Sequence, residues 1–459
     1  MTSPTKTSFI DKNFQLLFYT GLILGLLLAL LYSHHQILSG DQSQMLEKGY
    51  QGAYLNTWSS FGNAASAVGN VPGSLSAYLI GLPLMIIDSP YSPMLLLLCL
   101  RLAGFILLDS VIRQVFTQEI RLVFLLLYWL NPWFLFESLL YNPSYLFFFA
   151  ALHCYTAFNM REKGSFIHSF LHLLSIGMAM QLHYSWPILA VMSAYLFYRG
   201  IIKINWVGIF ASALVITASL LPYYQELLTN EDLVRNPGNK DGERYIGWGG
   251  VHVYPVLKAF LYWLRYASFL FTNKLVTGAH FEWVSSIELI QTIIMYVYRV
   301  ILFTIGGLSL WFTYKANRYA WTQVRSLISR KSKERMINTE TWLLLYVIGA
   351  LLGVFISAIL SPIVFSYWHL IIIFPFALFP FLSFINFYIQ EKNMQLGKPL
   401  LFVALYLLSV NLIASHDSEK FSYKKSYHIQ VIDFVEHDHF THMEFIKNHI
   451  IPKQQAKQD

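Results

Sequence analysis

Charge is scarce in this sequence: 12% of its 459 residues are Asp, Glu, Lys or Arg, against about 25% in an average soluble domain. With 56% of residues hydrophobic, no water-soluble core could hide the apolar surface, and lipid must solvate much of it. Cysteine is nearly absent as well. The two present, Cys99 and Cys154, lie in apolar runs and read as packing residues, which excludes a disulfide framework. No Gly-rich phosphate loop or dinucleotide fingerprint occurs, so no nucleotide-binding fold is expected. No internal repeat is visible, which argues against a transporter built from two related halves. The first apolar run, Phe14–Tyr32, lacks a small-residue cleavage site and reads as a retained first helix.

What remains is a polytopic, all-α membrane chain. A helix needs about 20 apolar residues to cross a bilayer. Apolar runs at Phe14–Leu38, Pro93–Val115, Arg121–Phe136, Pro143–Phe158, Ile167–Leu182, Trp186–Tyr198, Asn205–Tyr223, Ile287–Tyr314, Thr341–Leu360, Val364–Ile389 and Pro399–Ala414 predict about 11 transmembrane helices. Leu75–Ile87 is an extra segment whose crossing the sequence leaves open. The net charge of +7 reads as loop charge obeying the positive-inside rule, not as a nucleic-acid surface. Arg161, Lys163, Arg199, Lys203 and the run 315–335 then belong on the cytoplasmic side. Two long loops, about 39–73 and 225–282, fall outside and are expected to carry short surface helices. Within the second, Leu257, Phe260, Leu261 and Leu264 have the spacing of a helix lying on the membrane. Residues 1–415 read as one transmembrane domain and 416–459 as a short soluble tail. The tail holds Glu436, His437, Asp438, His439 and His442, whose spacing matches no zinc pattern; no cofactor is expected, and a divalent metal stays open.

Chemistry must come from the polar segments outside the spans. Asp41 follows the first helix directly and can act as a general base at the outer surface; its alternative role is to cap the next helix. Glu47 and Glu226 are further carboxylates. Arg235, Lys240, Arg244, Arg265 and Lys274 put cations on the outer face, against the usual bias, where they suit an anionic phosphate or lipid headgroups. His183 and Tyr184 sit where two helices meet at the outer surface. Arg101 lies inside a span, where an arginine costs roughly 2.5–3.5 kcal/mol on insertion scales, so it should face the protein interior in a structural role. Asp109, two turns on, is a partner for it only through intermediates.

Several motifs carry a resemblance. Asp41 just past the first helix, Pro72-Gly73-Ser74-Leu75 closing the loop ahead of Tyr78-Leu79, and Arg101-Leu102 early in the next span resemble the GT-C membrane glycosyltransferases. The nearest group is the bacterial one related to protein O-mannosyltransferases and to aminoarabinose transferases of lipid A. Asn131-Pro132-Trp133, Tyr141-Asn142-Pro143 and Gln181-Leu182-His183-Tyr184 are similar to stretches in bacterial members. The likeness covers residues 14 to 225 and extends more weakly to about 390. Many relatives have two adjacent acidic residues where this chain has Asp41-Gln42. Tyr367-Trp368-His369 stands where many have an Arg-Tyr pair, making His369 the corresponding basic contact.

The resemblance implies transfer of a sugar, with inversion, from a polyprenyl-phosphate donor to a lipid, glycan or protein acceptor outside the bilayer. It implies Asp41 as base and His183, Tyr184, Asn142, Tyr78 and His369 lining the cleft; position adds Glu47 as a second catalytic candidate, and charge independently puts Arg244, Arg265, Arg235 and Lys274 on the donor phosphate. The expected location is a bacterial inner membrane with the site facing the periplasm, and the expected partners are that donor, its acceptor and membrane lipids. Two other readings stay open: an O-antigen polymerase or ligase, whose large outer loop also carries arginines, and a transporter of lipid-linked saccharides.

Overall fold

The computed structural model describes residues 9–38, 40–65, 69–135, 139–230, 253–270, 278–329, 338–361, 366–415, 421 and 426–431. The chain is a helical multi-pass membrane protein with, among these residues, seven helical stretches long and apolar enough to cross a bilayer. They are α1 (Lys12–His35 within Phe9–His35), α4 (Ser92–Val115), α10 (Trp206–Leu227), α12 (Glu288–Ser329), α13 (Thr339–Leu360), the interrupted α14 (Tyr367–Lys392) and α15 (Gly397–Ala414). Between them lie α2 (Gly40–Leu55), a two-stranded antiparallel hairpin of β1 (Phe61–Ala64) and β2 (Asn70–Pro72), and α3 (Leu75–Ile86). Further elements are α5 (Gln118–Trp129), the short α6 (Pro132–Leu135), α7 (Leu146–Met160), α8 (Phe166–Met180), α9 (Pro187–Tyr198) and α11 (Val253–Tyr266).

Contacts fix which end of the bundle each segment reaches. His34 at the end of α1 bonds Tyr91 ahead of α4, with Nδ1 and Oη 2.9 Å apart. Arg121 at the start of α5 lies over Phe14 and Phe18, near the beginning of α1. The Leu140 amide returns to Gln36 at 2.7 Å. Asn142 donates to the Leu182 carbonyl, and the Lys203 amide donates to the Met160 carbonyl at the other end. Ser185 donates to the His369 carbonyl, whereas Arg199 donates to the Leu327 carbonyl. On this evidence α1, α4, α5, α7, α8, α9, α10, α12, α13, α14 and α15 each run the length of the bundle. These are the eleven segments expected from the sequence, although α5 and α9 have 12 helical residues and α7 and α8 have 15. A 12-residue helix covers about 18 Å, less than a hydrocarbon core about 30 Å thick, and these four helices are not among the seven long apolar stretches. α3 does not cross: it folds back on α2, and Tyr54 reaches Asp88 just beyond it at 2.7 Å. That settles the open segment, and α1 and α15 both finish at the same end.

Close helix approach depends on small residues, as lipid-embedded packing requires. Gly349 and Gly353, spaced four apart on α13, face α9; a Cβ on Gly353 would lie 2.7 Å from the Ile188 carbonyl oxygen. A compact network satisfies buried polar groups contributed by four helices. His153 bonds Tyr346 and Ser193 at 2.7 and 2.8 Å, and His172 bonds Ser193 and Thr156 at 2.9 and 3.0 Å. It ties α7, α8, α9 and α13 together with every imidazole nitrogen partnered, which a buried polar group needs.

Two expectations are corrected. Asp109 pairs with Arg121, with Nε and Nη2 at 2.9 and 2.7 Å from its two carboxylate oxygens. Arg101 instead stacks over Trp129 and Phe147 at 5.4 and 5.9 Å and is 1% exposed. The beginning of the supposed soluble tail is not a solvated segment: Phe421, Tyr427 and Val431 are buried. Phe421 packs edge-on against Tyr32, with ring centroids 4.4 Å apart. The apolar residues Tyr427 and Val431 share one helical face, and burying that face outweighs the polarity of their neighbours. The cluster Glu436, His437, Asp438, His439 and His442 lies outside the described residues. The two cysteines are free, Cys154 buried and Cys99 exposed.

Candidate functional site

The end of the bundle that holds the first loop gathers most of the residues singled out above. α2 carries the first carboxylate. The helix begins at Gly40, so Asp41 lies inside its first turn and is exposed. Negative charge is favoured there by the helix dipole, a different role from the N-cap alternative raised by the sequence. Asn63 of β1 donates to the Asp41 carbonyl at 2.8 Å, and the Ala64 amide donates to the Gln44 side chain at 2.8 Å. Gln42, next to Asp41, is 2% exposed. Its amide donates to the Gln36 side-chain oxygen at 3.0 Å. A carboxylate in that buried position would face an acceptor and would be costly.

One side of α2 grips the hairpin. Residues 41, 44 and 48 share a helix face, and Lys48 donates to the Gly62 carbonyl and lies over the Phe61 ring at 4.6 Å. Burial lowers the Lys48 ammonium to about 8, while Glu47 and Glu226 act to hold it up. Glu226, at the end of α10, accepts from Ser60 just ahead of β1. Glu47 is half-buried and bonds Gln51 one turn on, at 3.4 Å. α2 and α3 pack closely around Trp58: a Cβ on Gly52 or Gly81 would come within 2.4 or 2.7 Å of its ring. Tyr78 of α3 is exposed, with its ring 4.8 Å from that of Trp58.

β2 faces a second group. Tyr184 donates to the Asn70 carbonyl at 3.0 Å and stays 44% exposed. Gly73 adopts a positive φ of 86° beside Gln181, where any side chain would collide with the glutamine. Asn142 is buried and serves as a strut to the Leu182 carbonyl at 2.7 Å. His183 and His369, far apart in sequence, have ring centroids 5.5 Å apart. Burial, and then the neighbouring His369, lower His183 to about 3, so it is a neutral imidazole at ordinary pH. Ser366 donates its amide to His369 Nδ1 at 2.9 Å, which places the proton of a neutral His369 on Nε2.

Arg265, near the end of α11, lies over Trp133 at 4.7 Å and donates to the Leu270 carbonyl at 3.3 Å. Burial lowers it from the usual arginine value. α11 is apolar on two faces: Leu257, Phe260 and Leu261 are exposed, whereas Trp263 and Tyr266 pack inward. Asn131 donates to the Tyr266 carbonyl at 3.0 Å, and Tyr266 donates to the Tyr367 carbonyl. Arg235, Lys240, Arg244 and Lys274 lie outside the described residues.

These contacts close into a circuit. It runs from α2 to β1 through Asp41 and Asn63, and from β2 to the 181–186 turn through Tyr184. It continues to the start of α14 through His183 and His369, and to α11 through Tyr367 and Tyr266. Asn131 ends that branch at Tyr266, and the circuit closes from the 181–186 turn through Leu182 and Asn142 to the 139–145 turn and back to α2 through Leu140, Gln36 and Gln42. Gln36 and Lys48 were not singled out in the sequence. Their only signal was position, on either side of Asp41.

No known family profile matches the chain, and no curated protein sequence matches it. Among solved structures, it is similar to ArnT from Cupriavidus metallidurans bound to undecaprenyl phosphate. That likeness has 11% identity and a TM-score of 0.47, covering 96% of this chain and 73% of that one. It is also similar to the archaeal oligosaccharyltransferase AglB from Archaeoglobus fulgidus, in complex with an inhibitory peptide and a dolichol-phosphate. Here identity is 13% and the TM-score 0.44, over 97% of this chain and 60% of that one.

Proposed function

We propose that the chain transfers a sugar, with inversion, from a polyprenyl-phosphate carrier to an acceptor at the outer surface of a bacterial inner membrane. The observation that carries this reading is the circuit: residues marked by chemistry in separate segments meet at one end of the bundle, with an exposed carboxylate among them. The sidedness rests on charge. Arg161, Lys163, Arg199, Lys203, Arg325 and Lys392 cluster at the opposite end, which the positive-inside rule makes cytoplasmic. The circuit then faces the periplasm, where no nucleotide sugar is at hand and a lipid-phosphate donor is.

In this mechanism the Asp41 carboxylate takes the proton from the acceptor hydroxyl or amine as that atom attacks the anomeric carbon. The bond from that carbon to the phosphate oxygen breaks, and the polyprenyl phosphate leaves with the electron pair. Arg265 offsets the charge that builds on the phosphate. Attack opposite the leaving group inverts the anomeric centre. Arg235, Arg244 and Lys274 belong to the same donor site, with Tyr78, Tyr184, Asn142, His183 and His369 around the substrates.

The test is an assay of the purified chain in lipid nanodiscs with a panel of polyprenyl-phosphate sugars. Acceptors come from the host envelope, and the product is read by mass spectrometry and NMR. The reading expects a new glycosidic bond of inverted configuration and release of polyprenyl phosphate. Joining of pyrophosphate-linked glycans without use of monophosphate donors would overturn it in favour of a polymerase or ligase.

A further inference from the structure

The Gln36 side chain makes three hydrogen bonds at the loop end. Its side-chain oxygen accepts from Gln42 at 3.0 Å and from the Leu140 amide at 2.7 Å, and its own amide donates to the Ser33 carbonyl at 3.0 Å. Its backbone carbonyl accepts from Gln430 Nε2 at 2.8 Å, and Gln430 Oε1 accepts from the Leu38 amide at 3.0 Å. Gln36 also forms an antiparallel bridge with Phe421. Gln430 therefore makes a two-point clamp on the link between α1 and α2, and the buried side chains of Phe421, Tyr427 and Val431 anchor the segment that bears it.

That link is three residues from Asp41, which sits in a first turn that leaves its amides short of intrahelical partners. Without external bonds a helix start frays. Here the bonds that hold it come from Gln36, from Asn63 and, through Gln36 and Leu38, from a residue almost 400 positions away. We propose that the C-terminal segment bearing Phe421, Tyr427 and Gln430 is a strap that positions α2, with Gln430 and Gln36 as positioning residues for the Asp41 carboxylate. The segment makes no contact with substrate in this role. It restricts the start of α2 so that the carboxylate reaches the acceptor in one geometry. The catalytic half of this inference rests on the function proposed above; the mechanical half does not.

The test uses Gln430→Met in the full chain, which keeps length and bulk but removes both ends of the clamp, with Gln42→Met as a second variant acting on the same hub from α2. Two readouts are taken: amide hydrogen exchange over residues 36–48, and kcat and KM for transfer from a polyprenyl-phosphate sugar. The strap predicts exchange over 36–48 at least several-fold faster, with the rest of the bundle unchanged. It also predicts a fall in kcat of about ten- to a hundred-fold, the cost of misplacing a group by about an ångström, and a donor KM within about twofold. Unchanged exchange in both variants overturns the strap. Faster exchange with unchanged kcat overturns its positioning role. If the wild-type chain transfers nothing from these donors, the glycosyltransferase reading fails instead, and exchange alone decides whether the strap holds α2.

Discussion

Lys48 carries a measurable consequence of its surroundings. Burial against Gly62 and Phe61 lowers its ammonium to about 8, with Glu47 and Glu226 opposing the shift, against about 10.4 for a free lysine. Between those values the unfolded chain holds more of this proton than the folded one, so stability rises with pH across the window. Below it, both forms are protonated, and the cost of burying the charge is fully present. Thermal unfolding in detergent from pH 7 to pH 10 should show this rise in the wild type and a flatter profile in Lys48→Met. Equal slopes in the two proteins would mean that the amine is not buried as described. Gln42 makes a related point: a neutral amide suits its position, which is buried and offers an acceptor.

The elements differ in how legible they were. The long helices followed from their apolar runs, and α11 from its helical spacing, because hydrophobic periodicity is local information. α3 was ambiguous, since twelve apolar residues suit either a short span or a packed helix. Its fate was decided by contact with α2, which a linear reading does not contain. The hairpin was not anticipated, and neither was the strap; the Gln430–Gln36 bond joins residues 394 apart. Position and charge singled out Asp41, His183 and Arg265 as candidates, but the contact of His183 with His369 had no signal in the sequence. Packing between elements yields its own prediction at Gly353. A side chain there would press on the Ile188 backbone and force α9 and α13 apart. Gly353→Leu should cost about 1–3 kcal/mol, as overpacking does, read as a lower melting temperature in detergent. A melting temperature equal to wild type would contradict the close approach of these helices.

At the scale of the whole molecule, the proposed orientation rests on charge distribution. The bundle-length segments put the first loop, the 181–186 turn and the strap at one end, and the basic turns at the other. Cysteines introduced at Thr57 and at Gln323, both exposed, should react differently with a membrane-impermeant maleimide. The protein for this test has its two native cysteines replaced. In spheroplasts Thr57→Cys should label and Gln323→Cys should label only after the membrane is opened. The opposite pattern would invert the topology and with it the proposed access to a lipid-phosphate donor.

The central claim is that Asp41 removes a proton from the acceptor, and one substitution isolates it. Asp41→Asn keeps the size of the side chain and deletes its ability to take a proton. General-base catalysis contributes typically about 10²–10⁴-fold, so single-turnover transfer by the Asn protein should fall by about that factor. Its melting temperature should fall only slightly, because Asn keeps the size of the side chain and gives up only the charge that the helix dipole favours, worth about 0.3–1 kcal/mol. If the single-turnover rate of Asp41→Asn stays within about threefold of wild type, well under the range for a lost base, Asp41 serves only the helix and the account of the site is wrong.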